Sequence, residues 1–230
     1  MKKGRMSAED RKRAIVKAAL PLFARKGFAA TTTRELARAA GVSEPLLYKH
    51  FPGKEALYGE IHNFSCRESS PVVEKLRGLE ASTSTLVHLI YYLTSVIVLG
   101  RPAGAIPPET YHRLMVNSLL EDGVFARLLY RNRFDCFCAR MEACLKAAIA
   151  AGDAVKGPIS RGNHARFAHH VAAWLASAHL PRRPVIDYGV SREELRNQAV
   201  WFALRGMGLT DKAIATYYNP KALALFFGEN

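Results

Sequence analysis

Apolar residues recur three and four positions apart along most of the chain, the period of a helix with one buried face. Ser7 is placed to cap the first helix, and Glu9 and Asp10 suit its positive N-terminal end. Ile15, Ala19, Leu22 and Phe23 then share a face, and Gly27 ends the run. Pro21 lies inside this stretch, where its missing N–H predicts a kink. Thr32 and Glu35 have the spacing of a capping box, which opens a short helix from Thr33 to Ala40 that Gly41 stops. Ser43 caps a third helix that tolerates Pro45 in its first turn and runs to Phe51, before Pro52-Gly53.

The rest of the chain keeps the same period. A helix is predicted from Lys54 to Ser69, broken by Ser69-Ser70-Pro71, with another turn or two over Val72–Leu79. Leu86–Leu99 is apolar nearly all round, as a buried central helix is. Arg101–Gly104 reads as a loop, Pro107-Pro108 opens a helix to Leu120, and Asp122-Gly123 makes a turn. One long helix is predicted from Phe125 to Ala151, then His164–Leu180, then Ser191–Gly206 behind a second box, Ser191 with Glu194. Asn219-Pro220 begins a last short helix. No segment alternates with period two and there is no internal repeat, so the fold class is all-α. Residues 1–53 form a head of three short helices, and residues 54–230 a helical body.

Composition alters this picture through charge alone. The apolar fraction of 49% and charged fraction of 23% are ordinary for a globular chain, but the net charge is +13. The first 60 residues carry +7 and the other 170 carry +6, so the excess is about three times denser in the head. Such a balance implies a polyanionic partner. The longest apolar run has 14 residues, short of the ~20 that span a bilayer, and charged residues follow Met1-Lys2-Lys3 where a signal peptide would be apolar. The expectation is a cytoplasmic protein without membrane association. Cys66, Cys136, Cys138 and Cys144 are too few and too irregular for a disulfide scaffold. Cys136 and Cys138, like His169 and His170, point to different sides of a helix and do not chelate as pairs. No metal or cofactor is expected. No nucleophile elbow, phosphate-binding glycine loop or HExxH motif supports an enzyme.

Three short helices with Gly41-Val42-Ser43 between the second and third make a helix-turn-helix, whose third helix fits a DNA major groove. Val42 and Leu47 are placed to pack between the two helices. Thr32, Thr33, Arg34, Tyr48, Lys49, His50 and Lys54 offer hydrogen-bond donors around that groove. For Tyr48 the alternative is packing, for Arg34 a solvated charge, and for Glu44 support of the helix dipole. Lys2, Lys3 and Arg5 read as a disordered arm.

Five pieces in register carry a family resemblance: Phe23-Ala24-Arg25-Lys26-Gly27-Phe28, Thr33-Arg34-Glu35-Leu36-Ala37, Gly41-Val42-Ser43, Leu47-Tyr48-Lys49-His50-Phe51 and Lys54-Glu55-Ala56-Leu57. Over Ala8–Leu57 the chain resembles the tetracycline-repressor (TetR) family. The resemblance implies a homodimer that binds a double-stranded operator through the head and a small-molecule effector in the body, with release of DNA on binding. It implies that Arg34 pairs with a guanine, and that Ser43, Glu44, Pro45 and Leu46 open the recognition helix. It assigns Thr33, Tyr48, His50 and Lys54 to phosphates, and Lys49 to a base or a phosphate. Leu46 departs from the small or hydroxyl residue common there, and Pro21 from the usual first helix.

In the body, His88, Tyr91, Tyr92, Tyr111, His112, Met115, Phe125, Phe134, Phe137, His170 and Trp174 are the candidate lining of a mostly apolar effector site, with ordinary core packing as the alternative. Two stripes, Leu195-Ala199-Phe202-Ala203-Gly206 and Phe167-Val171-Trp174-Leu175-Ala178, suit a four-helix dimer interface or packing within one chain. The reading is a ligand-responsive regulator, a repressor rather than an activator. Its alternatives are a DNA-binding regulator under a protein partner and an enzyme with a helical substrate-binding body.

Overall fold

A computed structural model describes residues 6–66, 71–101, 106–160 and 162–229. All regular structure among them is helical, apart from a single bridge between Ala154 and Leu209. The helices are α1 (Ala8–Lys26), α2 (Thr33–Ala39), α3 (Glu44–His50), α4 (Lys54–Cys66), α5 (Pro71–Gly78), α6 (Thr83–Val98), α7 (Pro108–Leu120), α8 (Val124–Leu129), α9 (Asp135–Ala150), α10 (Asn163–Ser177), α11 (Arg192–Gly206), α12 (Asp211–Tyr217) and α13 (Pro220–Phe226). The expected breaks at Ser69-Ser70 and Pro102–Gly104, and the basic arm of Lys2, Lys3 and Arg5, lie outside the described residues.

Several starts and stops follow from local chemistry. Ser7, Thr32, Ser43, Ser82, Ser191, Thr210 and Asn219 each accept a backbone N–H of the first turn they precede. At Thr32 the capping box is complete, with Glu35 reaching back to the Thr32 N–H at 3.0 Å. At Ser191 only the forward half forms, and the Glu194 carboxylate instead accepts from the Gln198 amide at 3.3 Å. Gly41 adopts φ 64°, the left-handed conformation that lets α2 turn into α3.

α1 continues through Pro21 as one helix, with the proline exposed. Three expectations differ. α6 begins at Thr83 behind the Ser82 cap rather than at Leu86. The long helix expected over 125–151 is α8 and α9 with a π-helical turn, Tyr130–Phe134, between them. α12 has no counterpart among the helices that the sequence pattern predicts.

The chain divides into two compact units. The first comprises Met1–Glu68 and Gly104–Asn132, hence α1 to α4 with α7 and α8. Its core gathers Ile15, Phe23, Leu36, Leu47, Phe51, Leu57, Tyr58, Ile61, Leu114 and Phe125. The second comprises Ser69–Ala103 and Arg133–Asn230, and α6 is its axis, packed by α9, α10, α11 and α12. The buried residues of α6 include Leu86, Val87, Ile90, Tyr91, Thr94 and Ser95, as its all-round apolar pattern requires.

Candidate nucleic-acid interface

The turn from α2 to α3 is closed by backbone bonds from Gly41 N–H to the Arg38 carbonyl and from Val42 N–H to the Ala37 carbonyl, at 3.2 and 3.0 Å. Leu36, Ala37 and Leu47 are buried beneath it, which fixes the two helices against each other. What they leave outside is polar. Thr32, Arg34, Ser43, Pro45, Tyr48 and Lys49 are exposed, and Thr33, Glu44, Leu46, His50 and Lys54 are partly so. All eleven expected DNA-contacting residues therefore lie on the surface of the first unit.

Four of them form one chain of contacts. The Tyr48 hydroxyl donates to Thr33 Oγ1 at 3.4 Å, and Thr33 Oγ1 donates to Glu44 Oε2 at 3.4 Å. Arg34 Nε donates to Glu44 Oε1, also at 3.4 Å. The Arg34 side chain is 88% exposed, so water screens this pair heavily. Glu44 thus holds Arg34 and Thr33 across the start of α2 and α3, a role that its position in the first turn alone did not disclose.

Lys54 is placed differently from the rest. Its ammonium donates to the Phe28 carbonyl at 2.7 Å and the Ala29 carbonyl at 3.4 Å, and lies 4.2 Å from the centre of the Phe28 ring. From the other side, Glu121 Oε2 accepts the Phe28 and Ala29 N–H groups at 2.9 and 3.3 Å. Asn117 Nδ2 donates to the Ala24 carbonyl at 2.9 Å. The turn after α1 is therefore clamped by α4 and by α7, although Glu121 lies 93 residues away in sequence. No local pattern could reveal that clamp. Lys26 pairs with Glu35 on the same unit, and this hydrogen bond, with those from Thr32, holds the Glu35 carboxyl well below its usual range, at about 2.

The eleven expected effector residues fall into separate groups. Tyr111, Met115 and Phe125 pack in the core of the first unit, with Phe125 5.5 Å from Tyr58 and 5.6 Å from Tyr111 between ring centres. His112 stands nearby on α7, where burial pushes its pKa down. In the second unit, Phe134 and Phe137 lie 6.3 Å apart, with His169 4.7 Å from Phe134. His170 and Trp174 are exposed on α10. His88, Tyr91 and Tyr92 all meet Phe227, just beyond α13, at 6.0, 5.5 and 5.8 Å. A cleft of about 550 Å³ opens elsewhere in the second unit, and His179, Ile186, Tyr188, Arg192 and Leu195 are among its lining.

The stripes proposed for a dimer interface also divide. Leu195, Ala199, Ala203 and Ala178 are buried within the chain, whereas Phe167, Trp174 and Phe202 are 51, 70 and 60% exposed on α10 and α11, as is Trp201, outside the stripes, at 48%. Among the described residues, no helix is long and apolar enough to cross a membrane.

Residues 15–61 match the family described as bacterial regulatory proteins, tetR family. The chain is 50% identical over 48 residues to the uncharacterised HTH-type transcriptional regulator YerO of Bacillus subtilis (strain 168), 21% of this chain and 17% of that protein. It is 27% identical over 118 residues to the HTH-type transcriptional regulator HbdR of Aromatoleum sp. (strain CIB), 50% of this chain and 52% of that protein. These matches cover at most about half the length of those relatives. Among solved structures, a gamma-butyrolactone receptor (ArpA-like protein) has a TM-score of 0.64 at 22% identity, over 97% of this chain and 100% of that one. AibR, in complex with isovaleryl coenzyme A and operator DNA, has a TM-score of 0.60 at 17% identity, over 84% and 97%. At these identities the likeness is one of fold.

Proposed function

We propose that this chain, a member of the TetR family through its residues 15–61, is a ligand-responsive transcriptional regulator that holds a palindromic operator as a homodimer. The observation that carries this reading is the exposed polar surface of α2 and α3 on a buried Leu36-Ala37-Leu47 support. A helix fits the major groove, and Arg34 is long and free enough to exchange Glu44 for guanine O6 and N7. Tyr48, Thr33, His50 and Lys49 flank it as phosphate or base contacts. Lys54 is assigned to the turn after α1 first, and to a phosphate only through its remaining proton.

The second copy docks on the aromatic face of α10 and α11. Two half-sites need two heads, and four large exposed aromatic side chains on adjacent helices favour burial. Repression rather than activation, and release by a small mostly apolar effector in the body, follow the family pattern. The body-like folds of a gamma-butyrolactone receptor and of AibR support a ligand role.

Duplex selection from random DNA with the purified chain tests the reading. The expected product is an inverted repeat with half-sites one helical turn (~34–36 Å) or a multiple apart. An unenriched pool would overturn it. Trp174→Arg with Phe202→Arg should leave a folded monomer with weak operator affinity; a double variant that sediments as a dimer would move the interface elsewhere.

A further inference from the structure

Arg196 is a buried cation of the second unit, 4% exposed on α11. Its guanidinium donates to Ser95 Oγ at 2.6 Å and Asn197 Oδ1 at 2.8 Å, and lies 4.2 Å from the centre of the Tyr91 ring. Its counter-ion is Glu229, 3.2 Å away. The same carboxylate takes an ion pair from Arg101 at 3.2 Å and a hydrogen bond from the Tyr91 hydroxyl at 2.8 Å. Two guanidiniums and a phenol thus converge on one carboxylate, itself 6% exposed. Beside it, the Phe227 ring stacks on Tyr91 at 5.5 Å and 9°.

The carboxylate and the ring come from a short piece of chain. Asn219 caps α13, and Gly228 ends it at φ 67°. The Gly228 N–H bonds to the Leu225 carbonyl and the Glu229 N–H to the Ala224 carbonyl, the paired bonds of a Schellman turn, which aims Glu229 back at Arg196. Lys75 also touches this segment, its ammonium 3.6 Å from the centre of the Phe226 ring and 3.4 Å from the Phe226 carbonyl. Leu223 is its buried residue, and Leu225 is 75% exposed. A seven-residue helix that buries one residue of its own is held by its side-chain contacts with its neighbours rather than by its own turns, so a ligand that matches those contacts can replace it. Opening would strip a buried guanidinium of its anion, a state that demands replacement by another carboxylate.

We propose that the face of α6 and α11 beneath residues 220–229 is a binding site for an arylalkyl or similarly apolar carboxylate, and that Phe227 and Glu229 are its built-in occupants, displaced when the ligand binds. The ligand carboxylate takes the place of Glu229 between Arg196, Arg101 and the Tyr91 hydroxyl. Its apolar body takes the place of Phe227 against Tyr91, and of the neighbouring Phe226 against His88, whose rings lie 4.4 Å apart. This names the chemical class for one effector site of the proposed regulator and rests on that reading for its consequence at DNA; binding is measured without DNA, so either can fail alone.

The test uses the full chain, 4-phenylbutyrate and its neutral amide, with titration calorimetry and limited trypsin digestion. Glu229→Gln should bind the acid about tenfold more tightly than the unaltered chain, since the internal competitor loses its charge. The amide should bind about tenfold more weakly than the acid. Arg101→Gln takes the same ion pair from the ligand acid and from Glu229, so it should shrink the preference for the acid over the amide severalfold. Saturating acid should speed cleavage after Lys221, exposed on α13, because the segment is lifted. Equal binding of acid and amide, an acid affinity indifferent to Glu229→Gln, no binding to either chain, or protection of Lys221 would each overturn the proposal. A bound acid that leaves operator affinity unchanged would instead count against the regulator reading.

Discussion

Each unit holds an arginine on a glutamate of its own chain, and the two pairs differ in burial rather than in chemistry. Arg34 and Glu44 meet at 3.4 Å with the arginine 88% exposed. Arg196 and Glu229 meet at 3.2 Å with both side chains at 5–6%. An exposed pair is worth ~0–1 kcal/mol, so Arg34 is released to any better acceptor at little cost. A buried pair loses ~3–5 kcal/mol when one partner is removed, so Arg196 exchanges its carboxylate only for another anion. The first geometry suits a side chain waiting for a base edge, the second a site that stays filled until a ligand of the same charge arrives.

The largest effect breaks that comparison most directly. Arg196→Ala removes the bonds to Ser95 and Asn197 and the stacking on Tyr91, and leaves Glu229 without its buried partner. Urea denaturation should show a loss of ~3–5 kcal/mol for Arg196→Ala and under ~1 kcal/mol for Arg34→Ala. Equal losses would mean that burial does not separate the pairs. The Tyr91 hydroxyl reports the same environment: burial, then its hydrogen bond to Glu229, pushes it up to about 12. Undocking of residues 220–229 should bring its ultraviolet titration back toward the ordinary tyrosine range.

On DNA the order reverses, and Arg34 becomes the sensitive partner. Arg34→Ala should weaken operator binding by ~1–3 kcal/mol and relax preference at one base pair. Lys49→Ala should weaken all sequences about equally and flatten the salt dependence by about one unit. Identical sequence profiles and salt slopes for the two variants would remove the distinction between a reading and a holding residue.

The two regions were also unequally legible. Ser7, Thr32, Ser43 and Gly41 act on residues within four positions, so the caps of α1, α2 and α3 and the turn between the last two are legible from spacing. The resemblance assigns Lys54 to a phosphate, and nothing near it in sequence shows that it also holds the Phe28 and Ala29 carbonyls, 26 and 25 residues away. The body depends on still longer reach. Ser95, Arg196 and Glu229 lie 101 and 33 residues apart, and none belongs to a periodic pattern. His88, Tyr91 and Tyr92 stand out in the sequence as aromatic and polar tips on a central helix, and they do gather, but around Phe227. The π-helical turn at Tyr130–Phe134 left no trace in a pattern that reads as continuous helix.

The clamp on the turn after α1 predicts a smaller effect in the first unit. Glu121→Ala leaves the Phe28 and Ala29 N–H groups to water, and Lys54→Ala does the same for their carbonyls. Each should cost ~0.5–1.5 kcal/mol, since the groups are exposed enough to be rehydrated. A double-mutant cycle by thermal melting should show the two coupled through the turn they share; strict additivity would mean that α4 and α7 act on it independently.

The smallest expected effect belongs to the third pair, Lys26 with Glu35, which is exposed like Arg34 with Glu44. The Lys26 hydrogen bond, then those from Thr32, lower the Glu35 carboxyl from 4.5 to about 2. A carboxyl lowered on folding binds its proton more readily in the unfolded chain, so its stabilisation is full above pH 4.5 and fades as pH falls toward 2. The melting temperature of the unaltered chain should therefore exceed that of Glu35→Gln by a small margin at pH 6, and the margin should close by about pH 2. Added salt at pH 6 should shrink it as well, because two half-exposed side chains are screened by ions. No margin at pH 6 would mean that Glu35 acts only as the reciprocal arm of the Thr32 capping box, which a neutral glutamine still supplies, and that its charge contributes nothing.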